Sequence, residues 1–280
     1  MNVLDLFSGC GAFSLGLEAA GMKTVAFCEI DPFCRYLLKR RWPDVPIFND
    51  IFKISAKRLA GFDIDVICGG FPCTDISLQK EHAGGLDGSE SGKWFRYAEL
   101  IDEIRPRYAI VENVPALLVR GFDRVLGSLA EIGYDAEWSC ISSAAMGAPH
   151  IRDRLWIVAY PKSQTFATFE PLFREGADDP FAANADSTGP CGPTARQNLA
   201  CNVKTKTTEF GDTLTYCGLQ WPPLNSYLRM GDGIARPTHS IRIIGNSLSP
   251  QIPELIGKAI MKREARNEQS NQDRRHAISV

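Results

Sequence analysis

From Asn2 to Ala159 the chain repeats one unit: a short apolar run, a break, then a stretch with helical spacing. Asn2 to Leu6 reads as a strand and Ala12 to Ala20 as a helix stopped by Gly21. Lys23 to Cys28 is a second strand, and Pro32 to Arg41 a helix opening on proline, whose fixed φ suits a first helical turn. Val66 to Cys68 is again apolar. Phe95, Ala98, Ile101 and Ile104 then recur at helical spacing until Pro106. Tyr108 to Val111 reads as a strand, Phe122 to Ile132 as a helix ended by Gly133, and Leu155 to Ala159 as a strand. Strands alternating with helices require right-handed crossovers, which cover both faces of a mostly parallel sheet. The predicted fold class is therefore α/β.

The pattern lapses after Tyr160. Pro161 to Leu224 is rich in Pro, Gly, Thr, Asn and Asp without sustained periodicity, too long for a plain loop inside a compact domain. Regular spacing returns from Ile241, with Ile252 to Met261 predicted as a helix. The expected division is a catalytic and cofactor-binding core at 1–160, a small recognition region at 161–240, a return to the core at 241–264 and a flexible, polar tail at 265–280. A chain of 280 residues accommodates one such domain with an appendage. Net charge is −2, so any nucleic-acid binding must come from local basic patches rather than a global field. The nine cysteines include no Cys-x-x-Cys pair and no zinc spacing, so no metal is expected. Their odd number, with no secretory signal and no apolar run of membrane-spanning length, points to the reducing cytoplasm.

Five short blocks carry chemistry. Asp5-Leu6-Phe7-Ser8-Gly9-Cys10-Gly11 joins the first strand to the first helix. Its glycines allow close backbone approach to a ligand, and the helix start offers free N–H groups, although Ser14 stands where a third glycine is usual. Glu29, ending the second strand, suits ribose hydroxyls, and Asp50 suits an adenine amino group or a helix cap. These features fit an adenosine-bearing cofactor without separating NAD from S-adenosylmethionine. Gly69-Gly70-Phe71-Pro72-Cys73 presents a thiol on a stiff loop at a strand's C-terminal end, where open α/β sheets place their chemistry; a small buried core cysteine is the bland alternative. Glu112-Asn113-Val114 brings a carboxyl to the same sheet edge. Arg152 and Arg154, two apart in extended chain, share a face suited to gripping phosphate or carboxylate. Gly245-Asn246-Ser247 precedes the last helix as a turn with a cap.

In this order, the five blocks closely resemble the cytosine-5 DNA methyltransferase family, in its compact bacterial and phage form, over residues 1 to about 160 and 241 to 262. The resemblance implies a Rossmann-like S-adenosylmethionine-dependent methyltransferase fold. It implies that Cys73 adds to cytosine C6, that Glu112 holds or protonates N3, that Arg154 lies near a base flipped from double-stranded DNA, and that Arg152 supports the loop or the phosphates. Cofactor contacts carried over are Phe7, Gly9, Gly11, Glu29, Ile30, Asp50, Ile51, Trp94 and Asn246. Thr74 to Lys93 becomes a loop closing over DNA, and Lys204, Lys206, Arg229 and Arg236 become candidate DNA contacts. A monomer, with a restriction endonuclease acting separately, completes the expectation.

Two departures stand out: His150 where many members have Gln, and Met230-Gly231-Asp232-Gly233-Ile234 in place of the family's usual block before Gly245. A tRNA cytosine-5 methyltransferase is the alternative of like chemistry, and a catalytically silent DNA-binding regulator the alternative of another class. An NAD oxidoreductase leaves Pro72-Cys73 and Glu112-Asn113-Val114 unexplained. A cysteine hydrolase finds no partner among His82, His150, His239 and His276.

Overall fold

Strand side chains alternate between two hydrophobic layers, and this alternation organises the molecule. The computed structural model describes residues 1–72, 92–146, 148, 152–163, 172, 204–208, 211–216, 219–221 and 247–278. A seven-stranded sheet is formed by β1 (Asn2–Leu6), β2 (Lys23–Cys28), β3 (Ile47–Phe48), β4 (Val66–Gly70), β5 (Tyr108–Asn113), β6 (Tyr134–Ser142) and β7 (Asp153–Pro161), in the order β3-β2-β1-β4-β5-β7-β6. The first five strands pair in parallel, whereas β7 runs antiparallel to both β5 and β6. Leu4, Ile67, Val111 and Ile157 project into one layer, beneath α4 (Gly92–Ile104) and α5 (Phe122–Glu131). Val3, Cys68, Ile110 and Trp156 project into the other, against α1 (Ala12–Ala19) and the C-terminal helix α6 (Gln251–Ile278). Burial on both faces explains the near-continuous apolar runs of the central strands.

The smaller helices α2 (Pro32–Arg41) and α3 (Ala56–Leu59) flank β2 and β4. Asp31 caps α2 by accepting from the backbone N–H groups of Phe33 and Cys34 at 2.8 and 3.1 Å, and Lys39, Arg40 and Arg41 close its last turn, where the helix dipole favours cations. Tyr97, wholly buried in α4, donates its hydroxyl to the Ile110 carbonyl at 3.2 Å and so ties the helix to the sheet.

The structure extends several sequence expectations. Glu112 and Asn113 belong to β5 rather than following it, and Gly69 and Gly70 belong to β4. Of this sheet only β6 has no sequence forecast; β3 matches the strand expected to end near Asp50. β3 has only two residues, and β6 is an edge strand whose outward positions, such as Trp138 at 47% exposure, blur the apolar alternation. Gly92 and Lys93, expected in the loop closing over DNA, open α4 instead. The recognition region contains a three-stranded antiparallel sheet of β8 (Lys204–Thr208), β9 (Gly211–Tyr216) and β10 (Leu219–Trp221), where no periodicity was legible.

The expected flexible tail is also corrected: α6 continues to Ile278. Buried charges hold its middle. Arg263 pairs with Glu137 of β6 at 2.7 Å and lies 5.2 Å over the Tyr160 ring, while Glu264 accepts from the Tyr108 hydroxyl at 2.8 Å and pairs with Arg107. Beyond them, strong helix formers and an i,i+4 hydrogen bond from Gln269 to Asp273 carry the helix on.

Gly11 marks the start of α1 with φ 85°, and a Cβ there would lie 2.6 Å from Trp42 Cζ3 and 3.0 Å from Leu38 Cδ2. Gly11→Ala is expected to destabilise the fold by about 1–3 kcal/mol through backbone strain and overpacking, read as a lower urea midpoint with unchanged slope.

Candidate active site

The parallel registers bring the blocks to one rim. Leu6 pairs with Cys28 on one side and Gly69 on the other, and Gly70 pairs with Glu112. The turn after β1, the end of β2, the loop after β4 and the tip of β5 therefore share the carboxyl edge of the sheet. Strand order reverses between β2-β1 and β1-β4, the switch point where open α/β sheets bind ligands. β7 starts at the same rim because Asn113 pairs with Leu155, which places Arg154 beside it.

At the first turn, Phe7, Gly9 and Gly11 all take positive φ, of 52°, 54° and 85°. Ser8 holds the turn: its Oγ donates to the Asp5 carbonyl at 2.6 Å, and its carbonyl accepts from Gly11 N–H at 2.8 Å. Glu29 is 8% exposed, with one carboxylate oxygen accepting from Gly9 N–H and the other from Asp31 N–H, both at 2.7 Å. Each oxygen keeps a lone pair for a diol. Beside it, Ile30 is 70% exposed. Asp50 performs the cap anticipated as its alternative role, accepting from Phe52 N–H at 3.0 Å through Oδ1. Its Oδ2 lies 3.7 Å from the Lys53 ammonium. Ile51 is largely core, packed within the layer under α4. A concave turn, free helix-start N–H groups, a carboxylate and an exposed apolar side chain together fit an adenosine-bearing group.

Trp94 requires correction as a cofactor contact. It has no exposed surface, its ring stacks against Phe71 and Tyr97, and its indole N–H donates to Ser128 Oγ at 3.4 Å. It supports the loop after β4 from beneath. Its place in α4, with the apolar side of that helix turned to the sheet, explains why.

The acid sits across from this turn. Glu112 is nearly enclosed, and its Oε1 pairs with Arg154 Nε at 2.8 Å. Gly70 makes room for it, since a Cβ there would collide with Glu112 Oε2. Burial pushes the Glu112 carboxyl above its usual range, and the charges of Arg154 and Arg152 and the Arg154 hydrogen bond oppose that shift. Arg154 meets Glu112 directly, and Arg152 acts on it through its charge. Arg152 is also held through its carbonyl, which accepts from Ser143 N–H at 3.0 Å. Cys73, Asn246 and His150 lie outside the described residues, as do Arg229 and Arg236. Phe71 and Pro72, which lead directly into Cys73, end beside Glu112 because β4 and β5 are paired.

One residue of the Glu112-Asn113-Val114 block has a role that the sequence did not assign. Asn113 is buried; its amide donates to the Phe71 carbonyl at 3.2 Å, and its own oxygen accepts from Val114 N–H at 2.8 Å. It braces the chain one residue before Pro72. The available signal was a polar residue ending an otherwise apolar strand. Ser247 is a second such case, its hydroxyl lying 3.2 Å from Cys10 Sγ and bringing the C-terminal return against the first turn.

Among the described residues no cluster of His, Cys, Asp and Glu could hold a metal ion, and no helix is long and apolar enough to cross a membrane.

A model of the C-5 cytosine-specific DNA methylase family matches residues 1–209, and the chain belongs to that family. It is 35% identical over 167 residues to the type II methyltransferase M2.BsuMI of Bacillus subtilis (strain 168), covering 57% of this chain and 42% of that protein. It is 34% identical over 163 residues to the type II methyltransferase M.CviJI of Paramecium bursaria Chlorella virus IL3A, covering 58% and 43%. The chain thus spans less than half the length of these curated relatives. The solved structure of the Entamoeba histolytica methyltransferase EhMeth superposes with a TM-score of 0.62 at 13% identity, over 94% of this chain and 98% of that one, a likeness of fold.

Two measurements probe this geometry. Asn113→Leu leaves the Phe71 carbonyl without its donor and should lower stability by about 1–3 kcal/mol in denaturant unfolding. Arg154→Gln removes a charge and a hydrogen bond that hold Glu112 down, so the Glu112 titration followed by carboxyl carbon-13 NMR should move to higher pH.

Proposed function

We propose that this chain methylates C5 of cytosine in double-stranded DNA, using S-adenosylmethionine. The observation that carries this reading is the pairing of β4 with β5. It brings Phe71 and Pro72, which lead into Cys73, beside an enclosed, arginine-paired carboxyl, one strand away from a turn suited to adenosine. The type II methyltransferase relatives favour a DNA substrate.

Cytosine C5 is a poor nucleophile. The Cys73 thiolate bonds to C6, and the electron pair displaced from the C5–C6 double bond makes C5 nucleophilic. Glu112 stabilises the rearranged ring at N3, and its raised proton affinity suits it to deliver or share a proton there. Arg154 orients that carboxyl. When bound, S-adenosylmethionine supplies the electrophilic methyl group that C5 receives. Loss of the C5 proton then returns electrons to the ring and expels Cys73. The carbon is out of reach inside a duplex, so the base must leave the stack before Cys73 can attack it. Glu29, Asp50, Ile30 and the Gly9–Gly11 turn hold the adenosine end, with Phe7 and Ile51 as apolar walls and Asn246 on the C-terminal return. Region 161–240, with β8 to β10, selects the target sequence. We place the protein in the cytoplasm of a bacterial or phage-infected cell, as a monomer, with any cognate endonuclease acting separately.

The test is methyl transfer by the purified full chain to duplex DNA and to tRNA, with bisulfite sequencing to locate the product. Incorporation into DNA supports the reading, and incorporation into tRNA alone overturns it. Cys73→Ser is expected to reduce transfer about a thousandfold or more and to abolish covalent capture on DNA containing 5-fluorocytosine; full activity in that variant rules out the adduct.

A further inference from the structure

Asp5 is the one carboxyl on β1, and the proposed chemistry makes no use of it. The alternation of β1 puts it on the same face as Val3, the face covered by α1, and it has no exposed surface. An isolated buried carboxylate is costly, so the groups around it are informative. Ser14, equally buried in the first turn of α1, donates its hydroxyl to Asp5 Oδ2 at 2.7 Å, and Oδ1 is left without a hydrogen-bond partner. The buried Cys68 lies opposite Asp5 in the β1–β4 register.

These contacts solve a problem at the helix start. Gly11, required there by its positive φ and by Trp42, has no side chain with which to cap α1. Asp5 instead sets a carboxyl from the strand at that helix end, where negative charge is favoured, and grips the helix through the Ser14 hydroxyl. It does so across residues 6–13, so its bond to Ser14 fastens together the two feet of the turn. Between those feet lie three residues of positive φ, a conformation that persists only when its surroundings over-determine it.

We propose that Asp5 is a positioning residue for the cofactor, acting through Ser14 to hold the Phe7–Gly11 turn in its binding shape. This inference rests on the assignment of that turn to S-adenosylmethionine. It also accounts for Ser14 in place of a third glycine: the hydroxyl is the handle that Asp5 grips.

The electrostatics give the proposal a distinctive signature. Burial, with a smaller contribution from Glu29 at the end of β2, pushes the Asp5 carboxyl up to about 7, against the lowering effect of Ser14. The other ionisable groups around it are the thiols of Cys10, Cys28 and Cys68 and the phenol of Tyr97, all pushed upward by burial and so uncharged at neutral pH. The Ser14 hydroxyl bonds to Oδ2 with a charge assistance that the neutral acid lacks, while Oδ1 has no hydrogen-bond partner. Protonation as pH falls through about 7 therefore weakens the clamp, and cofactor affinity should rise with pH over that window.

The experiment is calorimetric titration of the full-length chain with S-adenosylmethionine between pH 6 and pH 8.5, paired with kinetics at saturating DNA. Wild-type affinity is expected to strengthen several-fold across the window. Ser14→Ala should weaken binding about tenfold and raise the cofactor KM, leaving kcat at saturating cofactor within about twofold. Asp5→Asn keeps an oxygen for Ser14 but cannot ionise, so it should bind with a flat pH profile. A folded Ser14→Ala protein that binds like wild type overturns the proposal, as does an Asp5→Asn protein that keeps the wild-type pH dependence. A wild-type chain that binds no S-adenosylmethionine at any pH overturns instead the assignment of the turn.

Discussion

Every functional feature of this protein depends on the parallel pairing of β1 with β4. That pairing sets Leu6 against Gly69 and so fixes how far each strand extends toward the rim. Gly69 allows it, since a Cβ there would run into the Leu6 carbonyl. With β2 and β5 registered on either side, the glycine turn after β1 and the acid end at one height. No single contact at the rim is strong enough to impose this alignment. The backbone ladder imposes it, and the two hydrophobic layers keep the ladder from slipping, because a one-residue shift would turn every apolar side chain to the wrong face.

The polar groups in this frame follow one rule: each buried charge has a partner on a different element. Glu29 serves the first turn from β2, Glu112 meets Arg154 of β7, Asp5 holds Ser14 of α1, and Arg263 with Glu264 joins α6 to β6 and β5. Removing one partner leaves a desolvated charge, so such pairs specify which elements pack together even where their net contribution to stability is small. The rim and the helix packing are thereby built from the same kind of interaction.

Much of the core was legible in the sequence because it rests on local periodicity. The strands around Val3, Ile67 and Ile110 announce themselves as apolar runs, and the glycines and prolines beside them mark the turns. Glu112 was identifiable as a carboxyl at the same sheet edge as the Cys73 loop, but its pairing with Arg154 was not. Other features depend on partners distant in the chain. Trp94 follows Cys73 closely and suggests a ligand contact, but its fate is decided by the packing of α4 on the sheet. Arg263 and Glu264 end the expected return to the core, but nothing local shows that they are buried until Glu137 and Tyr108 are in place. β6 is hidden because an edge strand is partly exposed on both faces, and Asn113 reads as part of a motif without revealing that it grips Phe71.

The tip of β5 has a consequence for how this protein can vary. Glu112 and Asn113 are neighbours, so the strand pleat sends the acid to one face and the brace to the other. Changing either side chain alters one role; changing the length of β5 by a single residue exchanges both at once. Evolution can therefore retune this site by substitution but not by insertion or deletion here. Strand length acts as a ruler, as tightly constrained as the identity of any residue it measures out.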